Sequence, residues 1–409
     1  MTKNTEKKYD ICIIGAGASG LAAAITAFEV CPGIRIAILE KNSKTGRKLR
    51  ATGNGKCNIT NTEAEDVEEV LSFLDKEGIL LRIQENGLVY PNSESAQDVA
   101  DQLTSRVKTC GGEFFFNLEV AELCRCSNGW FKIRSEGKES KKIYAKKVLI
   151  ATGGKSAPVY GTTGDGYKLA EKLGHKVARL VPVLTAVECA QDKPQSVAGV
   201  RAHGTATLYR HRKQIFREKG EIQFTKTGLS GICIFNMTRF MRFEQGGSMD
   251  DFEIGIDFLP NMGKAYLESF FDRKRRLSGN ESAETLLRTV VKKQLCEYIL
   301  KRTGIARTIP LQMLKERDLK ALEESIKDLR FHPTGLRGWK EAQCTSGGVL
   351  LTEIDKNTGE SCRVPSLYFS GEVLDYDGPC GGFNLNNAWR TGIRAGRAMG
   401  SSTERERNR

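Results

Sequence analysis

The sequence has no stretch of the ~18 uninterrupted apolar residues that a membrane-crossing helix requires, so no membrane span is expected. Its opening residues, Met1–Asp10, are polar and charged and lead straight into a strand, which argues against a secretory leader. No C-x-x-C occurs among the 12 cysteines, and the four histidines, His175, His203, His211 and His332, stand far apart, so no metal site is expected. Several cysteines lie in strand-like runs, where the side chain acts as a small hydrophobe, and reduced thiols in a cytoplasmic setting fit that usage. Internal repeats and low-complexity tracts are also missing. An acidic excess is lacking too: 63 Lys and Arg against 50 Asp and Glu leave a net charge of +13, which suits phosphate-bearing or other anionic ligands.

At 409 residues, and ~150 residues per domain, two or three domains are expected. Tyr9–Ile14 is a short apolar strand that enters a glycine turn. The Ala-rich Leu21–Val30 then reads as a helix and Ile34–Leu39 as a second buried strand. Strand, turn, helix and strand in so short a span make a βαβ unit, and hence a parallel sheet in an α/β fold of Rossmann type. Val67–Glu77 and Ser95–Thr109 read as helices, and Glu113–Val120, Trp130–Arg134 and Lys147–Ile150 as strands. The pattern changes near Pro182. Residues 183–258 alternate apolar and polar in short runs, which predicts antiparallel β structure. Residues 261–329 read as charged helices. Leu367–Ser370 returns to a buried strand, and Asn384–Met399 reads as a closing helix.

Gly15-Ala16-Gly17-Ala18-Ser19-Gly20 is G-x-G-x-x-G between strand and helix, with Glu40 at the end of the next strand. Gly15 permits the tight turn, Gly17 lets backbone meet a pyrophosphate, and Gly20 lets helix and strand pack closely. Free N–H groups at the helix start hold the negative charge, and Glu40 accepts from ribose hydroxyls. A second motif, Val148 to Gly154, ends a strand in Ala151-Thr152-Gly153-Gly154. A third, Leu367 to Glu372, ends another in Gly371-Glu372. This set of three resembles the two-dinucleotide-binding flavoproteins and so favours FAD. In that pattern the backbone of Val120, ending the strand Glu113–Val120, touches adenine. Glu372 serves the ribityl or diphosphate region. N–H groups of Gly382, Phe383, Asn384 and Leu385 face the flavin N1/O2 edge, where a positive helix end stabilises negative charge. Lys41, Arg47, Lys48 and Arg50 follow the ribose-binding strand and are expected beside phosphates.

Longer strings carry a closer resemblance. Lys41 to Asn61 reads KNSKTGRKLRATGNGKCNITN, Ala151 to Tyr167 ATGGKSAPVYGTTGDGY, Gly220 to Gly231 GEIQFTKTGLSG, and Gly371 to Leu385 GEVLDYDGPCGGFNL. Together they resemble the BaiN-like family of FAD-dependent flavoproteins, also described as aminoacetone-oxidase-like, from Tyr9 to about Met399. The resemblance implies an FAD domain built from residues 1–185 and 346–409. It also implies an inserted β-barrel at 186–260 with its return strand at 330–345, and a helical insert at 261–329. The family tends to place Pro after LSG, where this chain has Ile232.

The C-terminal string is also similar to fumarate-reductase-type and ketosteroid-dehydrogenase-type flavoproteins, which act at activated C=C bonds. One family member is associated with the 4,6-unsaturated 3-oxo intermediates of bile-acid dehydroxylation. The resemblance thus implies NAD(P)H-linked reduction of a small hydrophobic enone such as a 3-oxo steroid or bile-acid-like intermediate. The proton donor is sought at Tyr376 or Asp377, close in sequence to Glu372. No second G-x-G-x-x-G follows a strand, so NAD(P)H is expected as a transient electron donor. Two alternatives stand beside this reading: a flavin amine oxidase, and an RNA-binding flavoprotein of the tRNA-modifying type. Against the latter, the basic run Arg210 to Lys219 holds one aromatic, Phe216, so no stable nucleic-acid partner is expected. Cys57 lacks a neighbouring cysteine and is not expected to act as a redox thiol. Asp165 is placed to cap a helix starting at Gly166, and His332 reads as a loop histidine. The oligomeric state is unspecified.

Overall fold

The computed structural model describes residues 7–136, 141–242 and 247–408, so the first part of the Met1–Asp10 segment lies outside the described residues. The chain divides into two compact units, residues 1–182 with 343–409, and residues 183–342.

The first unit is built on a mixed seven-stranded sheet. Lys7–Ile14 pairs in parallel with Ile36–Leu39 on one side and Lys142–Ile150 on the other, and Ile36–Leu39 pairs in parallel with Glu113–Phe115. Where these strands meet, residues 11–14, Ile36–Leu39 and residues 148–150 are wholly apolar and buried, as both covered faces of a parallel sheet require. The amino-terminal half of Lys142–Ile150 carries an antiparallel ribbon, Phe131–Ser135 and Val120–Arg125, and its carboxyl half pairs in parallel with Leu367–Phe369. That last strand places Gly371 at the same sheet edge as Gly15 and Ala151.

One expected strand is wrong. Glu113–Val120 is not continuous: the strand stops at Phe115, Asn117 takes φ 53°, and Val120 opens a separate strand that turns back along Phe131–Ser135. The apolar run was read as one strand because Asn117, which tolerates the left-handed region, was the sole turn signal inside it.

The helix Ala18–Val30 packs on the long closing helix Phe383–Arg407 with almost no side chain between them. A Cβ on Gly392 would lie 2.3 Å from the Ser19 carbonyl oxygen, and one on Gly396 2.3 Å from that of Ala23. The last turn is fastened electrostatically. Lys147, 2% exposed, reaches Glu406 at 2.7 Å, and Arg407 reaches Asp10 at 3.1 Å.

The second unit carries a seven-stranded antiparallel sheet, including the long hairpin Arg201–Arg210 and Lys213–Phe224. Phe224, Phe252 and Phe331 of this sheet share a core with Leu267, Ile299 and Leu322 from the helices Lys264–Leu277, Lys293–Thr303 and Glu316–Lys327. The sheet ends at Leu329–Phe331 and Gly335–Leu336, which are not paired with each other among the described residues. Ile232, where a proline was the family habit, opens the short helix Ile232–Thr238, a first-turn position where either residue fits.

Candidate functional site: a dinucleotide cradle

Three glycines of the first turn do three different things. Gly15 takes φ 106°, and a Cβ there would lie 2.4 Å from the Ala151 carbonyl oxygen; one on Gly20 would lie 2.1 Å from that of Gly15. Both are demanded by the protein's own packing. Gly17 is different, since nothing lies within 4 Å of where its Cβ would be. An open face beside the N–H groups that begin the helix Ala18–Val30 is the surface a pyrophosphate needs.

Glu40 is 7% exposed and braces this turn: Oε2 accepts from the Ala16 N–H at 3.0 Å, and Oε1 from Asn42 N–H at 2.9 Å and Nδ2 at 2.7 Å. Its carboxylate is therefore fixed in orientation at the strand end. The backbone that passes Glu40 belongs to Asn117 and Leu118, whose N–H groups bond the carbonyls of Asn42 and Glu40 at 3.1 and 3.0 Å. Val120, expected at the adenine, opens the next strand instead of ending Glu113–Phe115.

The cations after the strand separate. Lys41 bonds Thr163 at 2.7 Å and pairs with Asp165; Arg47 bonds Asn42 Oδ1 at 2.7 Å and the Val159 carbonyl at 2.8 Å. Arg50 turns away onto Asp101 at 2.7 Å. Asp165 is the first residue of its helix, behind Gly164, and makes no cap bond; the expected capping is replaced by its pairing with Lys41.

Lys48 reaches Glu372 at 2.6 Å. The other Glu372 oxygen accepts from the Thr345 N–H at 2.8 Å, and Thr345 Oγ1 accepts from the N–H groups of Lys155 and Ser156 at 2.8 and 3.0 Å. Tyr167 donates to the Glu372 carbonyl at 3.1 Å. Burial, with the Glu372 charge beside it, pushes that phenol well above its ordinary range, so Tyr167 stays a donor. One network thus ties the loop after Ala151-Thr152-Gly153 to the Gly371-Glu372 turn. Thr345, Ser156 and Tyr167 were not foreseen, since only the fold brings them to Glu372.

Gly382 takes φ 99° and precedes Phe383–Arg407, where no side chain caps the first turn. The N–H groups at Phe383, Asn384 and Leu385 therefore lack a side-chain cap. Asn384 instead clamps the preceding loop, accepting from the Gly378 N–H at 2.7 Å and donating to the Gly378 carbonyl at 2.9 Å. In that loop Tyr376 and Asp377 are half-buried, and Asp377 accepts from Ser346 Oγ at 2.8 Å. Next to Gly371, the Ser370 hydroxyl is buried with no partner. An orphaned hydroxyl, an uncapped helix start and the open face of Gly17 all fit FAD. Cys57 is fully buried, and burial pushes its thiol up to about 11, which leaves little thiolate for redox chemistry.

A Rossmann-type FAD-dependent flavoprotein is the class that this sheet and cradle define. The chain matches the family described as HI0933-like protein Rossmann domain over residues 9–70 and 65–398. It belongs to that family, the BaiN-like group its sequence strings resemble. It is 31% identical to a 3-dehydro-bile acid delta(4,6)-reductase of Clostridium scindens, over 95% of this chain and 98% of the relative. It is 30% identical to a ribosomal RNA dihydrouridine synthase of Escherichia coli, over 94% and 96%. Among solved structures, a flavocytochrome c3 fumarate reductase shares the fold with TM-score 0.51 and 16% identity, covering 97% of this chain and 78% of that one. No helix among the described residues is long and apolar enough to cross a membrane.

Proposed function

We propose that the protein is an FAD-dependent, NAD(P)H-linked reductase of a C=C bond conjugated to a carbonyl, with a small hydrophobic enone such as a 3-oxo steroid or bile-acid-like intermediate as substrate. The observation that carries this reading is the Lys48–Glu372–Thr345 network, which through the adjoining Ser346 joins the cofactor cradle to the Asp377 carboxyl. Bound FAD supplies hydride transfer at N5 to the electron-poor β-carbon. The chain's own residues do the rest. The Gly15–Gly20 turn takes the pyrophosphate and Glu40 the ribose. Lys48 and Glu372 would hold the cofactor's central portion, and the uncapped N–H groups at the helix start at Phe383 would stabilise negative charge on the reduced flavin. Tyr376 or Asp377 delivers a proton to the α-carbon, completing the addition. With this reading goes the finer architecture, an FAD domain carrying a β-barrel insert and a helical insert, working in the cytoplasm. Anaerobic titration of the flavoprotein with NADH, NADPH and a panel of amines, followed by reoxidation with a panel of enones, tests it; reduction of the flavin by an amine, with no enone reoxidising it, would make it an amine oxidase.

A second reading is favoured by the Escherichia coli relative's identity of 30% and by the chain's charge of +13. The C5=C6 bond of uracil is conjugated to the C4 carbonyl, so it is the same kind of acceptor as an enone. Hydride at C6 and a proton at C5 would give dihydrouridine with the same residues in the same roles. Here RNA replaces the small molecule.

A further inference from the structure

We propose that the long hairpin of the second unit, with Phe240 beside it, is an RNA-docking surface. The inference rests on the uridine reading above and gives it a place on the protein. His211 and Arg212 form the two-residue tip at φ 49° and 65°, the tight turn that suits a twisted ribbon, and Arg210 and Lys213 flank it. Four basic residues are thereby gathered at one end. Along Lys213–Phe224 the register shifts opposite Leu208 and Tyr209, so the exposed Arg217 and Lys219 share one face while the exposed Lys213, opposite Arg210, turns with Phe216 to the other. Arg217 and Lys219 stand opposite Thr207 and Thr205, so no carboxylate answers them across the strand.

The hairpin's own acids are occupied elsewhere. Glu218 is on the other face, where Asn236 Nδ2 holds both its oxygens at 3.0 Å, and Glu221 pairs with Arg201 at 2.9 Å. Asp251 lies near the tip, 3.9 Å from the Arg210 guanidinium, and leaves a net positive end. Like charges gathered at the tip of a ribbon repel one another and favour a polyanion that spaces its charges along a chain.

The aromatic that the sequence failed to show is supplied by the fold. Phe240 stacks on Phe216 with ring centroids 4.8 Å apart and planes at 28°, and the Arg239 guanidinium lies 5.6 Å from the Phe240 ring. Phe240 is 42% exposed, a large apolar ring kept in water beside a basic ribbon. Phe216, opposite Leu208, shares the face of Glu218 and Lys213, so the platform goes with the tip cations and not with Arg217 and Lys219; cations beside an open aromatic platform are what an unpaired base and its flanking phosphates need. A lipid surface would want a continuous apolar face, which one ring and Ile215 do not make.

The test is fluorescence anisotropy of the FAD-loaded protein with a labelled single-stranded, uridine-containing RNA across a salt series. The wild type should bind with a steep salt dependence. The tip variant R212E/K213E should lose at least ~10-fold in affinity and flatten the log–log salt slope by ~0.7 per lost phosphate contact. F240A should lose ~10-fold at an unchanged slope, because stacking is not ionic. Flavin content and melting temperature report whether each variant is folded. If the wild type binds RNA and neither variant changes that, the hairpin is not the surface, while the uridine reading stands. If the wild type binds no RNA, or prefers vesicles of anionic phospholipid, both fall.

Discussion

The ammonium of Lys48 and the carboxylate of Glu372 meet at 2.6 Å although 324 positions separate them in the chain. Both side chains are largely shielded from solvent, at 26% and 17% exposure, and the pair closes the N-terminal cofactor turn onto the C-terminal one. Charge-assisted bonds of this kind contribute on the order of 1.5–3 kcal/mol. Lys48→Met should therefore weaken FAD binding by ~10-fold or more, read as the dissociation constant in a flavin-fluorescence titration. Retention of wild-type affinity would remove Lys48 from the cofactor site.

The three glycines of the first turn should respond differently to valine. Gly17→Val places its side chain into open space, so the fold should survive with the melting curve of the FAD-free wild type while FAD is lost. Gly15→Val and Gly20→Val drive Cβ to 2.4 and 2.1 Å from carbonyl oxygens and should not yield a folded chain. Stoichiometric FAD in purified Gly17→Val would mean that no pyrophosphate lies there.

The parts of this site that were legible in the sequence are local ones. Gly15 to Gly20 and Glu40 belong to one βαβ unit, where turn, helix start and strand end follow from short-range chemistry. Asn117 hid a strand break, so Val120 was assigned to the wrong strand. The Thr345–Ser156 link, the Tyr167 bond to Glu372 and the Phe216–Phe240 stack depend on which distant segments pack together, and periodicity carries no such information. Phe240 matters most in this respect, since its position changes how the basic ribbon reads.

Stability should depend on pH through a buried trio in the first unit. His175 Nδ1 lies 3.1 Å from Glu353, and Nε2 lies 2.8 Å from Ser361 Oγ. Burial chiefly lowers the His175 pKa from its ordinary 6.5, against the opposing pull of Glu353, so the folded ring is neutral. The unfolded chain takes up that proton as pH falls through about 6.5 while the folded chain does not, so stability drops below that pH. Burial alone would raise the Glu353 carboxyl, but the Lys176 N–H and Arg363 guanidinium hold it below its ordinary value. That contribution is lost at still lower pH, as the folded carboxyl titrates. Melting temperatures should fall from about pH 7 to 5, and His175→Gln, which can bond both partners without titrating, should flatten that slope. An equal slope in the variant would assign the pH dependence to other groups.

Asp377, held by Ser346, and Tyr376 share the role of proton donor in the proposed reaction. Removing the true donor should lower turnover by ~100-fold or more while NAD(P)H still reduces the flavin normally. Tyr376→Phe and Asp377→Asn, each assayed by stopped flow in both half-reactions, separate the two. Normal reoxidation rates in both variants would place the acid elsewhere.

The most direct test of the central claim is a single-turnover experiment under anaerobic conditions. The flavoprotein is reduced, mixed with a 4,6-dien-3-one steroid or with uridine-containing RNA, and the product is weighed by mass spectrometry. Reduction of a carbonyl-conjugated C=C bond predicts flavin reoxidation together with a gain of two hydrogens in one of these acceptors. No mass gain in either, with the flavin staying reduced until oxygen is admitted, would contradict the account.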